Sequence, residues 1–222
     1  MMRRIVTAFA AVATLSACSE LGAPRRAEFY EWRLIVPPQT GPGLDTLAFH
    51  WSQDDLPVRI WTEDSLNLPR RMRDAITGWK TQFLYGEFDG TIVSDSASAH
   101  VIARIGTAPL ALSGRSLRLE RRAPECQGVT ILDVSDDHTL LVLPLRILVD
   151  PRFPPGTAGL EECLNLTVMH ELGHALGLFE HSDDAGDLMF ANPVVQGPST
   201  RDRNTVERAY HRPATLSLVG RP

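Results

Sequence analysis

His170-Glu171-Leu172-Gly173-His174-Ala175-Leu176-Gly177-Leu178-Phe179-Glu180-His181-Ser182 is the stretch from which the rest of this chain is read. Its first five residues sit inside a strongly helical segment, Glu161 to Leu178. Residues four apart on a helix share a face, one turn above the other. The imidazoles of His170 and His174 can therefore reach one metal ion. Glu171 is rotated by about 100° around the axis, so its carboxylate can stand beside that ion and take a proton from bound water. A metal held this way brings the pKa of its water to about 7 and polarises a carbonyl, which is the chemistry of a zinc hydrolase. A helix carrying two histidines by chance is the bland alternative. Gly177 can let the chain leave the helix in a left-handed conformation.

Outward from this helix the pattern is mixed. Leu56-Pro57-Val58-Arg59-Ile60-Trp61 alternates and predicts a strand. Leu68, Met72, Ile76, Trp79 and Phe83 recur at helical spacing and predict a long helix over about 67–84, ending near Gly86. Ala99–Ile105, Val129–Val134 and Leu140–Val149 predict further strands. Residues 106–128 read as loop, with Arg118, Arg121 and Arg122 as a solvated cluster. A turn at Pro151–Gly156 precedes the histidine helix, and Asp202–Tyr210 predicts a last short helix. The order implies an α+β fold with one core. His50, His100, His138 and His211 read as surface or core residues, with a metal loop at Asp136-Asp137-His138 as the weaker alternative for His138.

With Gly177 three residues past His174 and a further histidine beyond it, the central stretch resembles the elongated metzincin motif, H-E-x-x-H-x-x-G-x-x-H. Asp187-Leu188-Met189-Phe190 resembles the methionine turn that follows it in that family, and the wording is nearest the matrixin branch. The resemblance implies a metzincin-like catalytic domain over 51–222: a mixed twisted sheet, a long first helix, an active-site helix, the methionine turn and a C-terminal helix. It implies one catalytic Zn2+, Glu171 as general base, Met189 as an apolar floor beneath the metal, and a protein or peptide substrate paired along an edge strand.

The chain departs from the pattern at one place. Strict counting puts Glu180 at the third-ligand position, and His181 lies one residue later. Either one residue is inserted and His181 binds, or Glu180 binds as an acidic third ligand. His181 is preferred. Imidazole suits zinc beside two other histidines, the interval from His181 to Met189 keeps the matrixin register, and a loop absorbs an extra residue at small cost. Structural Ca2+ is left open, since Asp183, Asp184 and Asp187 are equally well explained as polar loop residues.

At the N-terminus, Arg3 and Arg4 precede an apolar run, Ile5–Leu15, too short to span a bilayer. It fits a signal peptide over 1–17. Leu15-Ser16-Ala17-Cys18 resembles a bacterial lipobox, with Cys18 lipidated and 18–50 forming a tether and irregular lead-in. Ser19 after the cysteine favours an exported chain anchored in the outer membrane, facing the periplasm or the outside. Losing 1–17 removes two arginines and no acid, taking the net charge from −5 to −7, which argues against a nucleic-acid partner. It also leaves Cys126 and Cys163, an even pair that reads as a disulfide outside the cytoplasm. The resulting expectation is a monomeric, lipid-anchored zinc metalloendopeptidase. The rivals are a non-catalytic zinc-dependent binding lipoprotein and a zinc hydrolase of non-protein amides.

Overall fold

A computed structural model describes residues 28–38, 42–109 and 116–219. The segment 1–17, expected to be a signal peptide, and Cys18, expected to be lipidated, lie outside these residues. The fold is α+β, built on a seven-stranded mixed sheet. Its strands are β3 (Val58–Thr62), β4 (Gly90–Val93), β5 (Val101–Ile105), β6 (Ser116–Arg122), β7 (Cys126–Val134), β8 (Leu140–Pro151) and β9 (Ser217–Val219). Their order is β4-β3-β5-β8-β7-β6, with β9 pairing the start of β8. Pairings among β3, β4, β5 and β8 are parallel, while β7 runs antiparallel to both β8 and β6. A separate hairpin joins β1 (Leu34–Val36) to β2 (Asp45–Leu47).

The described residues also contain three α-helices: α1 (Leu68–Lys80), α2 (Leu160–Ala175) and α3 (Thr200–Tyr210). Helix α1 buries Leu68, Met72, Ala75, Ile76 and Trp79, the face its spacing predicts, and stops sooner than expected. Helix α2 is buried on nearly every side from Cys163 onward, the condition of a helix enclosed within a core. Trp79 Nε1 donates to Met169 O at 2.8 Å, and the Arg71 guanidinium donates to Glu161 and Asn165, so α1 is tied to α2 along its length.

Two expectations are corrected. Residues 28–50 are not simply a lead-in: Tyr30, Trp32, Leu47 and Phe49 are buried in the main core, and Tyr30 N–H donates to Thr205 on α3. Large aromatic side chains outweigh the proline and glycine content of that segment. Residues 106–128 are not all loop either, because β6 and the first residues of β7 form a hairpin there. Its inward positions Leu119 and Arg121 alternate with outward ones, and Arg121 is 2% exposed rather than solvated. Strand β7 is consequently paired along both edges; it is β6 that carries the outer edge.

Candidate metal centre

Helix α2 carries His170 and His174 to its C-terminal end and stops there. Gly177, at φ +105°, donates to His174 O at 3.0 Å, and Leu178 N–H donates to Gly173 O at 3.1 Å. This is the paired closure of a helix by a glycine in the C′ position. A Cβ on Gly177 would also sit 2.0 Å from Phe49 O, so the residue must be glycine for space as well as for φ. Phe179 and Glu180 then both donate their N–H groups to Trp32 O, at 2.8 and 3.1 Å. That anchoring turns the chain back, and His181 arrives beside the first two histidines.

The three Nε2 atoms converge: 3.1 Å between His170 and His174, 3.3 Å between His174 and His181, 3.2 Å between His181 and His170. Nδ1 of His170 lies 2.7 Å from Leu188 O, and Nδ1 of His174 lies 2.5 Å from Leu178 O. Carbonyls only accept, so each of these Nδ1 atoms carries the proton and each Nε2 presents a lone pair. Burial lowers the pKa of all three rings, His174 to about 3, which keeps them neutral. Converging lone pairs with no proton between them call for a cation. Nitrogens 2.0–2.1 Å from a tetrahedral ion would stand about 3.3–3.4 Å apart, close to the spacing found. The residues therefore fit a metal ion, and they form the one such group among the described residues. Asp183, Asp184 and Asp187 instead satisfy Arg201, Gly186 N–H, Ser182 and Ser199. His138 pairs with Asp45 at 2.6 Å and belongs to no group of three potential metal ligands among the described residues.

Glu180 is not in the group. Among the two registers left open by the sequence, the geometry brings His181 into the histidine group and leaves Glu180 outside it, lining a pocket that His181 also borders. Burial, then the charge of Glu31, raises its pKa.

Glu171 points from α2 to strand β7. Its Oε2 accepts from the Thr130 hydroxyl at 2.7 Å, while Oε1 is buried with no hydrogen-bond partner. Burial pushes its pKa up to about 8, a shift the Thr130 hydrogen bond and the charge of Arg121 only partly oppose. The carboxylate has room because β7 carries Gly128 below it: a Cβ there would be 2.3 Å from Oε1. Met189 is fully buried, and Gly173 lets it approach α2, since a Cβ on Gly173 would be 2.5 Å from Met189 Sδ. Asp202 holds that turn by accepting from Leu188 N–H at 2.7 Å and Met189 N–H at 3.3 Å, and it also accepts from the Tyr30 hydroxyl at 2.8 Å.

A disulfide between Cys126 and Cys163 ties the start of β7 to the first turn of α2. Arg121 Nη1 lies against both sulfurs and donates to Thr167, one turn before Glu171. Sequence reasoning identified the histidines, Glu171, Gly177, Met189 and the cysteine pair. It missed Thr130, Gly128, Arg121 and Asp202. Only Asp202 left a usable signal, the Ser199-x-x-Asp202 spacing of a capping box, which the structure contains. No protein-family model and no curated protein matches this chain.

Proposed function

We propose that this chain is a zinc-dependent endopeptidase of the matrixin-like metzincin type. The observation that carries the reading is the set of three Nε2 atoms, 3.1–3.3 Å apart, two of them on a helix whose next residue after His170, Glu171, has a buried carboxylate with one unpartnered oxygen. His170, His174 and His181 would hold the zinc. When bound, zinc acidifies a ligated water and polarises the scissile carbonyl. Glu171 takes the proton of the attacking water on Oε1 and delivers it to the leaving amine. Thr130 keeps the other oxygen, Oε2, turned away from the reaction. Backbone carbonyls of Leu188 and Leu178 fix the ring orientations, as outer partners of metal-bound histidines do. His181, the one partly exposed ring of the three, marks the side from which a peptide approaches. The lipobox reading at Cys18 would tether the enzyme to the cell envelope, with two or more acyl chains giving a stable anchor.

Complete burial of Glu171 is the observation that favours the rival reading, a metal-binding lipoprotein without turnover. One experiment separates the two. The full chain, loaded with zinc, should digest an unfolded protein substrate, stop on addition of a chelator and recover when zinc is restored. Stoichiometric zinc without any cleavage would favour the binding protein.

A further inference from the structure

Beside His181, which is part of its lining, lies a pocket of ≈ 460 Å³ that Phe29, Tyr30, Ile35, Glu180, Asp183 and Arg201 also line. Its size falls within the usual range for ligand sites. Most of its charges are already neutralised. Arg33 and Glu31 at its rim form a two-pronged pair, both contacts at 2.7 Å. Arg201 is held by Asp183 and Asp187. The Glu180 carboxylate forms no hydrogen bond or ion pair with the described residues. Its backbone is fixed by the bond from its N–H to Trp32 O, so the unpaired charge is built into the wall rather than carried on a wandering loop. This is the residue that the metal-binding motif has in excess, and the histidine cluster does not use it.

We propose that Glu180 determines which substrates this site takes, selecting peptides with a lysine or arginine side chain that enters this pocket and pairs with its carboxylate. The inference rests on the peptidase reading. Arg33 and Arg201 do not serve an acidic side chain, because each already has its carboxylate. A lysine or arginine offers a long apolar stem to Phe29 and Ile35 and a cationic end to Glu180. Charge-assisted hydrogen bonds are the strong class of such contacts, and a half-buried carboxylate is less screened by salt than a surface one.

The test uses the full chain, with two readouts. In the first, the zinc-loaded protein digests a randomised peptide mixture, and the cleaved positions are sequenced. Lysine and arginine should be enriched at one fixed position from the cut. Glu180→Gln should reduce that enrichment about tenfold or more, and Glu180→Arg should turn it toward aspartate and glutamate. Cleavage without basic enrichment, or enrichment that survives Glu180→Gln, overturns the inference and leaves the peptidase reading standing. In the second, Glu171→Gln protein is titrated with two blocked pentapeptides that differ only in a central lysine or norleucine. Tighter binding of the lysine peptide, lost when Glu180→Gln is added, supports the inference even if nothing is cleaved, in which case it is the peptidase reading that fails. Equal binding of both peptides overturns it. Zinc content measured on each variant separates a change in the pocket from a change in the metal centre.

Discussion

Two glutamates nine residues apart, one next to His170 in the chain and one next to His181, live in opposite environments. Glu171 is fully buried against β7, with Thr130 on one oxygen, Gly128 beneath it, and Arg121 and the disulfide nearby. Glu180 stands half-buried in a pocket open to solvent, which His181 also lines. Burial raises the pKa of both, but only Glu171 reaches about 8. A carboxyl that titrates near neutrality suits proton transfer. One that lines a pocket open to solvent, with no partner of its own among the described residues, suits recognition of a cation. The side chain is the same, so the difference comes from what covers it: the β6–β7 hairpin in one case, a short loop pinned to Trp32 in the other.

The covered flank is the one that covalent chemistry holds shut. The Cys126–Cys163 bridge closes a loop spanning 37 residues, and chain entropy assigns such a closure about 4 kcal/mol. Replacing both cysteines by alanine should lower unfolding stability by roughly that amount in urea denaturation. Amide hydrogen exchange should then speed up along β6 and β7 while the segment from Leu178 to Met189 stays protected. Equal loosening on both flanks would show that the histidine loop depends on the hairpin after all.

The next contrast concerns the metal. His181→Ala removes one of three converging ligands and should weaken zinc binding more than about 100-fold, beyond what loss of an outer partner costs. Glu180→Ala, on the pocket side, should change it by less than about tenfold. Competition against a chromophoric chelator measures both. Loss of zinc in Glu180→Ala with retention in His181→Ala would reverse the assignment.

A smaller effect distinguishes the buried groups from each other. In the metal-free protein His174 stays neutral down to about pH 3, against an ordinary value of 6.5. The unfolded chain takes up that proton first as pH falls, so stability is lost from about pH 6.5 downward. Between about pH 7 and 5, His174 alone costs about 2 kcal/mol. His170 and His181 act in the same direction. Glu171 has the opposite sign. Its carboxyl is raised from 4.5 to about 8, so its contribution is full below the unfolded value and fades as pH rises toward 8. It gives back about 2 kcal/mol over the same interval. Denaturation of chelated protein should therefore show Glu171→Gln losing about 2 kcal/mol more than wild type on going from pH 7 to 5. Parallel losses would mean that the Glu171 carboxyl is not protonated in the fold.

The two flanks also differed in how legible they were. On the histidine side, chemistry is written in adjacent letters: the spacing of His170 and His174 and the Gly177 exit follow from helix geometry and local turn rules, and Met189 was singled out by the resemblance to the metzincin pattern. The third-ligand register needed the structure, because Glu180 and His181 are separated only by how Trp32, 148 residues earlier in the sequence, catches the chain. On the covered side almost nothing was local. Arg121 read as surface because it stands among other arginines, and only the register Arg121↔Gly128 turns its side chain inward. Thr130 is an ordinary strand residue until α2 crosses it. Trp32 and Phe49 were passed over because neighbouring prolines and glycines made their segment look irregular.

The proposed division of labour between a metal held by histidines and a proton held by Glu171 is most directly tested by Glu171→Gln, with zinc content and turnover measured on the same preparation of the full chain. The amide fills the same space and cannot take a proton. The expected result is about one zinc per chain in both proteins, with peptide hydrolysis in the variant reduced by about 100-fold or more. Hydrolysis at the wild-type rate with zinc retained would contradict the account and move the base to another residue.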